Sequence, residues 1–89
     1  MLERTITIVN RLGLHARAAA KLVQTLHEHD ANAFITYRGK EINAKSIMGV
    51  MMLAAGLGAE LTLRTEGPDE TAAMASMVDL IERKFDEGQ

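Results

Sequence analysis

The sequence contains no cysteine and no tryptophan, a single proline, and only three aromatic residues. Without cysteine, neither a disulfide framework nor a thiolate metal site can form. With so few aromatic rings, the core must be filled by aliphatic side chains, by alanine and by the six methionines. The chain is therefore expected to be an ordinary folded protein held together by aliphatic packing.

The sequence also lacks an excess of positive charge and any long apolar run. Ten basic residues against twelve acidic ones give a formal net charge of −2, whereas a nucleic-acid binder needs a basic stripe to neutralise phosphates. No segment approaches the ~20 apolar residues that cross a bilayer, and the first ten residues lack the apolar core of a signal peptide. We therefore expect a cytosolic protein that binds no nucleic acid and inserts into no membrane.

The length of 89 residues provides for one hydrophobic core, so residues 1–89 are expected to form a single domain. Period-two alternation and helical spacing predict the element order βαββαβα. The strand at 59–67 alternates apolar and polar residues, which predicts a four-stranded antiparallel sheet covered on one face by three helices. The other strands are predicted at 5–10, 33–37 and 40–43, and the helices at 16–27, after Ser46 and after Asp69.

The helices carry further expectations about packing and capping. The first should bury a face that contains Ala16, Ala19, Ala20, Val23 and Leu26. Asp69 is expected to cap the last helix, because aspartate is a preferred N-cap residue. That helix should continue as far as Phe85, and residues 86–89 should form a frayed tail.

His15 stands directly before the first helix, within the stretch GLHARAA (13–19). A helix N-terminus carries unpaired N–H groups and a partial positive charge, which together favour an anion. The backbone N–H groups of Ala16 and Arg17 could donate to an oxyanion, and the Arg17 guanidinium could pair with it. The same field disfavours imidazolium and would keep His15 neutral and nucleophilic. We therefore interpret His15 as a candidate phosphoryl acceptor.

Ser46 and the methionines that follow it form a second group of interest. Serine is a preferred N-cap residue, so Ser46 is expected to start a short helix. Val50 and Leu53 are assigned to the core, whereas Ile47, Met48 and Met51 are expected to form an exposed apolar patch near His15. Flexible thioethers suit a surface that must fit several partners.

Three other patterns are set aside. The stretch HEHD (27–30) lacks a third ligand, and residues two apart on a helix point away from each other. A hydrolase would need an orienting carboxylate for its histidine, and no nucleophile-elbow motif is present. The stretch GLGAE lacks the full glycine and lysine signature of a phosphate loop. We therefore expect no metal and no cofactor.

Two motifs resemble those of one known family. GLHARAA (13–19) is similar to the active-site motif G-L-H-A-R-P-A of the histidine-containing phosphocarrier protein HPr family. KSIMGVMML (45–53) resembles that family's second motif, around its regulatory serine. Their separation and the βαββαβα order also match that family's open-faced β-sandwich, so the resemblance covers essentially the whole chain.

The resemblance implies a phosphocarrier of the phosphoenolpyruvate-dependent phosphotransferase system, and no enzyme in its own right. His15 matches the histidine phosphorylated on Nδ1 by enzyme I, and Arg17 matches the arginine that steadies the phosphate. The carrier would pass the group to a histidine of a IIA protein. Ser46 matches the serine modified by the HPr kinase/phosphorylase. A transient carrier of this kind is expected to be a monomer.

Two departures from the family pattern leave the branch open. Ala18 replaces the usual proline, and Leu12 stands where many sugar-branch members have a small polar residue. These features and the FDEG ending are similar to the nitrogen-branch paralogue NPr, whereas YRGKEINAKSIMGVM (37–51) is similar to HPr proteins regulated through serine. The alternative to a sugar-branch carrier is therefore a nitrogen-branch regulatory phosphocarrier that acts mainly through partner binding.

Overall fold

The structure is a computed structural model, and it describes residues 1–87. Its element order is βαββαβα, as predicted, followed by a 3₁₀ turn at Lys84–Asp86. The strands are β1 (Leu2–Thr7), β2 (Asn32–Tyr37), β3 (Lys40–Asn43) and β4 (Glu60–Glu66). The helices are α1 (Ala16–His27), α2 (Ile47–Met52) and α3 (Glu70–Glu82).

The four strands form one antiparallel sheet in the order β1-β4-β2-β3. Along β4, Leu61, Leu63 and Thr65 are buried, and the residues between them are more exposed. The register places Ile35 of β2 opposite Leu63, so the apolar faces of neighbouring strands coincide. The three helices pack on this face, which confirms the predicted sheet with one covered and one open side.

The first strand begins and ends three residues earlier than predicted. Residues 8–10 leave the sheet after Thr7, although Ile8 still donates its N–H to the Ala59 carbonyl at 2.9 Å. The chain turns because the fully buried Asn10 donates from Nδ2 to the Gly13 carbonyl at 2.9 Å. The alternation of residue types in TITIVN carries no information about this side-chain contact. For that reason the predicted strand continues past Thr7, where the observed strand ends.

The bounds of α1 are as predicted, and Ala19, Val23 and Leu26 are buried as expected, but two other members of the predicted face are not. Ala16 is exposed and Ala20 is half-buried. The buried face is instead centred on Leu22, which is fully buried. The apolar stripe is therefore rotated about the helix axis relative to the prediction, toward the large side chain. Its members are Ala18, Ala19, Leu22, Val23 and Leu26.

The start of α3 also differs in detail from the expectation. Asp69 is the N-cap residue but makes no side-chain bond to its own helix. Its carboxylate accepts from the Asp30 N–H at 2.7 Å instead, and so joins the end of the α1–β2 connection to the start of α3. Glu70 closes the turn by accepting from the Gly67 N–H at 3.2 Å.

The chain after α3 forms a 3₁₀ turn at Lys84–Asp86 with Glu87 as its C-cap residue, in place of the frayed tail predicted for Asp86 and Glu87. The helix ends at Glu82, and Phe85 lies beyond it in the 3₁₀ turn, fully buried. Burying this aromatic ring keeps the terminal segment against the body of the protein. Gly88 and Gln89, the rest of the predicted tail, lie outside the described residues. Nowhere in residues 1–87 is a helix long and apolar enough to cross a bilayer.

Candidate functional site

His15 is the N-cap residue of α1, and its extended backbone (φ −75°, ψ 178°) brings the chain into the helix. The preceding residues fix this entry. Gly13 has a φ of 64°, and Leu14 is buried and donates its N–H to the Ala55 carbonyl at 2.9 Å. The imidazole makes no capping bond to its own helix. The first turn of α1 is therefore held in place by backbone contacts, and the His15 ring is not needed to cap the helix.

The first helical hydrogen bond runs from the Ala19 N–H to the His15 carbonyl at 2.9 Å. The N–H groups of Ala16 and Arg17 precede it and have no acceptor within residues 1–87. The exposed Arg17 guanidinium likewise makes no hydrogen bond or ion pair with the part of the chain that the structure describes. His15, Ala16 and Arg17 thus bring an imidazole, two N–H donors and a cation to one place.

These residues line an open cleft of about 790 Å³. Among the residues that the structure describes, its cationic side chains outnumber its carboxylates by three to two, which favours an anionic ligand at the helix N-terminus. The His15 side chain is 27% exposed, so the ring is accessible from the cleft. The lining residues are Arg11, Leu12, His15, Ala16, Arg17, Lys21, Asp86 and Glu87.

Glu87 contacts the His15 ring, and this contact was not predicted. Its Oε2 hydrogen-bonds His15 Nε2, and its Oε1 accepts from Asn10 Nδ2 at 3.1 Å. Burial raises the pKa of the Glu87 carboxyl, but the hydrogen bonds from His15 and Asn10 and the nearby charge of Lys21 outweigh it and lower the pKa below 4.5. The group facing the imidazole is therefore a carboxylate at neutral pH.

Lys21 is a second residue of the cleft that was not predicted. Its Nζ donates to the Phe85 carbonyl at 2.8 Å and lies 3.8 Å from Asp86 Oδ2. Helical spacing contains a signal for Lys21, because residues four apart lie on one face and Arg17 precedes it by four. No comparable signal exists for Glu87, which is 72 positions from His15.

Ser46 is the N-cap residue of α2, as predicted. Its Oγ accepts a hydrogen bond from the Gly49 N–H at 3.1 Å. The turn before it is closed by Asn43, whose Oδ1 accepts from the Lys45 N–H at 2.8 Å. The serine side chain is thus half-buried at the start of a six-residue helix.

The apolar side chains of α2 divide as expected between core and surface. Val50 is fully buried and Leu53 is 6% exposed. The three residues assigned to the patch, Ile47, Met48 and Met51, are 43%, 70% and 41% exposed. None of the three lines the cleft around His15, although α2 packs against α1. We call Ile47, Met48 and Met51 the α2 patch.

The other two histidines, His27 and His29, lie at the end of α1 and just after it. His29 Nε2 hydrogen-bonds Ser76 Oγ at 3.0 Å, and His27 is exposed at the end of α1. Among residues 1–87 no group of three histidine, cysteine or acidic side chains is placed to hold a metal ion.

The fold and the cleft define a small α+β protein that presents a histidine among anion-binding groups at a helix N-terminus. The family model described as the PTS HPr component phosphorylation site matches residues 2–83. The chain belongs to the HPr family of phosphocarrier proteins of the phosphotransferase system.

Individual comparisons agree with this assignment. The chain is 52% identical to phosphocarrier protein HPr of Cupriavidus necator over 89 residues, with all of both chains covered. It is 45% identical to phosphocarrier protein NPr of Shewanella violacea, covering 97% of this chain and 94% of that one. HPr from Thermoanaerobacter tengcongensis superposes with a TM-score of 0.94 at 47% identity over 98% of each chain. An HPr dimer from the same organism has a TM-score of 0.76 at 47% identity, covering 96% and 98%.

Proposed function

We propose that this chain accepts a phosphoryl group on His15 from enzyme I, which is charged by phosphoenolpyruvate, and donates it to a IIA protein. The observation that carries the proposal is the accessible His15 ring at the start of α1, beside N–H groups that have no other acceptor within residues 1–87. Family membership supports the same role. The protein is itself the carrier and forms a covalent phosphohistidine intermediate.

The groups around His15 match the needs of a phosphoryl dianion. An imidazole nitrogen with a free lone pair attacks phosphorus, and the bond from phosphorus to the donor's leaving atom breaks. The transferred oxygens then accept from the N–H groups of Ala16 and Arg17, and the Arg17 guanidinium pairs with them. Onward transfer to a IIA protein is the same step in reverse.

We further propose that Ser46 is a regulatory phosphorylation site for an HPr kinase/phosphorylase. Phosphorylation would add about −1.5 to −2 charges at pH 7 next to Ile47 and Met48. If the α2 patch is where enzyme I and IIA proteins dock, that charge weakens docking without unfolding the protein. The six-residue length of α2 keeps Ser46 and the patch on one short segment.

The alternative is a nitrogen-branch phosphocarrier that acts mainly through partner binding. The 45% identity to an NPr protein keeps this alternative open. It predicts that phospho-His15 transfers to a nitrogen-type IIA protein and not to a sugar-specific one. The sugar-branch and the nitrogen-branch proposals share three further points. In both, residues 1–89 form one domain, the protein is a monomer, and it acts in the cytosol, where its partners are.

The test is acid stability of the label. The protein is incubated with enzyme I and labelled phosphoenolpyruvate, and the label is then exposed to acid, which releases phosphohistidine but not phosphoserine. We expect an acid-labile label that His15→Ala abolishes and His27→Ala, which removes the exposed histidine at the other end of α1, does not. An undiminished acid-labile label in His15→Ala would refute the proposal. An acid-stable label from ATP and the kinase should be lost in Ser46→Ala.

A further inference from the structure

The carboxylate that contacts the His15 ring lies outside the part of the chain that the family model matches. That match ends at residue 83, whereas Glu87 is four residues further on. Its side chain is 13% exposed, and both of its oxygens are engaged, by His15 Nε2 and Asn10 Nδ2. Asn10 is itself fully buried and bonded to the Gly13 carbonyl. The buried Asn10 side chain therefore fixes the Glu87 carboxylate in contact with the imidazole.

The backbone that delivers Glu87 adopts a conformation that ordinary residues avoid. Lys84, Phe85 and Asp86 have successive φ angles of 57°, 54° and 63°. Left-handed backbone costs roughly 1–2 kcal/mol for each such residue, so it persists only where the surroundings impose it. Here the buried Phe85 ring anchors the segment, and Lys21 Nζ binds the Phe85 carbonyl at 2.8 Å. We call residues 84–87 the C-terminal strap.

A carboxylate is an acceptor only, so a neutral imidazole that bonds it must carry its proton on the bonded nitrogen. Glu87 contacts Nε2, and Nδ1 therefore keeps the lone pair. In other proteins, carboxylates that hold a histidine in this way fix both its tautomer and the orientation of its ring. We propose that Glu87 is a positioning residue of the phosphoryl site, which holds the proton on Nε2 and directs Nδ1 of His15 toward the donor.

This inference rests on the proposed function and adds to it the movement of electrons and of the ring proton during phosphoryl transfer. The Nδ1 lone pair forms the bond to phosphorus, while the electron pair of the breaking bond leaves with the donor. The proton stays on Nε2 throughout, so the phosphorylated ring carries a positive charge. The Glu87 carboxylate faces that charge and stabilises it. Within residues 1–87, the other charged groups that line the cleft are Arg11, Arg17, Lys21 and Asp86.

A purely structural reading is that Glu87 only fastens the strap to the body of the protein. The two roles differ in what they predict for the ring. A fastening role predicts no change in the nitrogen that carries the proton. A positioning role predicts that loss of the carboxylate lets the neutral ring populate both tautomers and slows attack on phosphorus.

The experiment compares the full chain with Glu87→Ala, Glu87→Gln and the charge control Glu82→Gln, which alters an exposed carboxylate of α3. The ¹⁵N shifts of the His15 ring nitrogens are recorded above pH 8, and thermal unfolding shows that each variant is folded. The rate of phosphorylation by phosphoramidate, which needs no docking, is measured alongside the rate with enzyme I.

We expect the unaltered protein and Glu82→Gln to show only the Nε2–H tautomer. Glu87→Ala should show both tautomers and a rate lower by about tenfold to a hundredfold with either donor, as for carboxylates that orient metal-binding histidines. The KM of enzyme I for this protein should be the same for Glu87→Ala as for the unaltered protein. Glu87→Gln, which keeps an acceptor oxygen without the charge, should fall between the two.

The inference is overturned if Glu87→Ala keeps the Nε2–H tautomer, whether or not its rate falls, or if both tautomers appear and the rate does not fall. These results leave the proposed function standing, because they do not require that His15 lose its label. Conversely, an unlabelled His15 would refute the proposed function while the ring tautomer could still be measured.

Discussion

The Gly49 N–H donates to Ser46 Oγ at 3.1 Å across the first turn of α2. This bond satisfies one of the N–H groups that a helix start leaves unpaired. Because α2 has only six residues, it has little else within itself to stabilise it. We predict that Ser46→Ala lowers the free energy of unfolding by about 1 kcal/mol, measured by urea denaturation.

The control for this prediction is Ser46→Asp, because aspartate caps a helix as well as serine does. That variant should keep nearly all of the stability and should still slow phosphoryl transfer from enzyme I if Ser46 phosphorylation acts through charge. Equal stability of Ser46→Ala and the unaltered protein would show that the cap is dispensable.

A second prediction concerns the close backbone approach at Gly13. An added Cβ there would lie 2.4 Å from the Ala55 carbonyl oxygen, and the φ of 64° is unfavourable to other residues. At Gly39 the φ is 78°, but nothing lies within 4 Å. Gly39→Ala should lower the free energy of unfolding by about 1–2 kcal/mol, and Gly13→Ala by a further 1–3 kcal/mol or so from overpacking. Urea denaturation of the pair tests this, and equal losses would contradict it.

A third prediction concerns the anchor of the C-terminal strap. Phe85 is fully buried, so Phe85→Ala should lower the free energy of unfolding by about 3–5 kcal/mol. The control Phe34→Ala removes a half-buried ring from the open sheet face, where it lies 4.5 Å from the Arg64 guanidinium carbon. That loss should be clearly smaller in urea denaturation. A Phe85→Ala protein as stable as Phe34→Ala would mean that the strap is not anchored by this ring.

His15, Glu87 and the buried face of α1 show how far the sequence could predict the molecule. Period and capping residues predict the elements and the position of His15 at the start of α1, because those signals are local. The place of Glu87 depends on a buried ring, on three left-handed residues and on Asn10, which act together only in the folded chain. The rotation of the buried α1 face toward Leu22 likewise depends on which side chain fits into the core. Contacts between residues far apart in the chain leave no periodic pattern in the sequence, so the sequence alone does not predict them.

A fourth prediction follows from the pKa of Glu87. Because its folded-state pKa is lowered from 4.5, its carboxylate stabilises the native state fully above about pH 4.5 and loses that effect as the pH falls through the lower, folded-state value. The difference in melting temperature between the unaltered protein and Glu87→Gln should therefore shrink as the pH is lowered below 4.5. His15, Asn10 and Lys21 face the carboxylate throughout. A difference that widens in acid would show the opposite sign.

A fifth prediction tests the α2 patch. Met48 is 70% exposed, so Met48→Ala should leave the melting temperature nearly unchanged. If enzyme I docks there, the rate of transfer at low protein concentration should fall about tenfold, as for a central interface residue worth about 1.4 kcal/mol. The control is Leu57→Ala, which removes another exposed apolar side chain, 63% accessible, outside the patch. An equal loss in both variants would mean that the docking surface is not the patch defined here.

The contact between residues 15 and 87 also bears on when a newly made molecule becomes competent. The sheet and α1 lie within residues 1–66, so they leave the ribosome before Glu87 does. If Glu87 orients the imidazole as proposed, a nascent chain that already contains the sheet and α1 still holds an unoriented ring. Readiness for phosphoryl transfer would then require that the C-terminal strap has been synthesised and has docked.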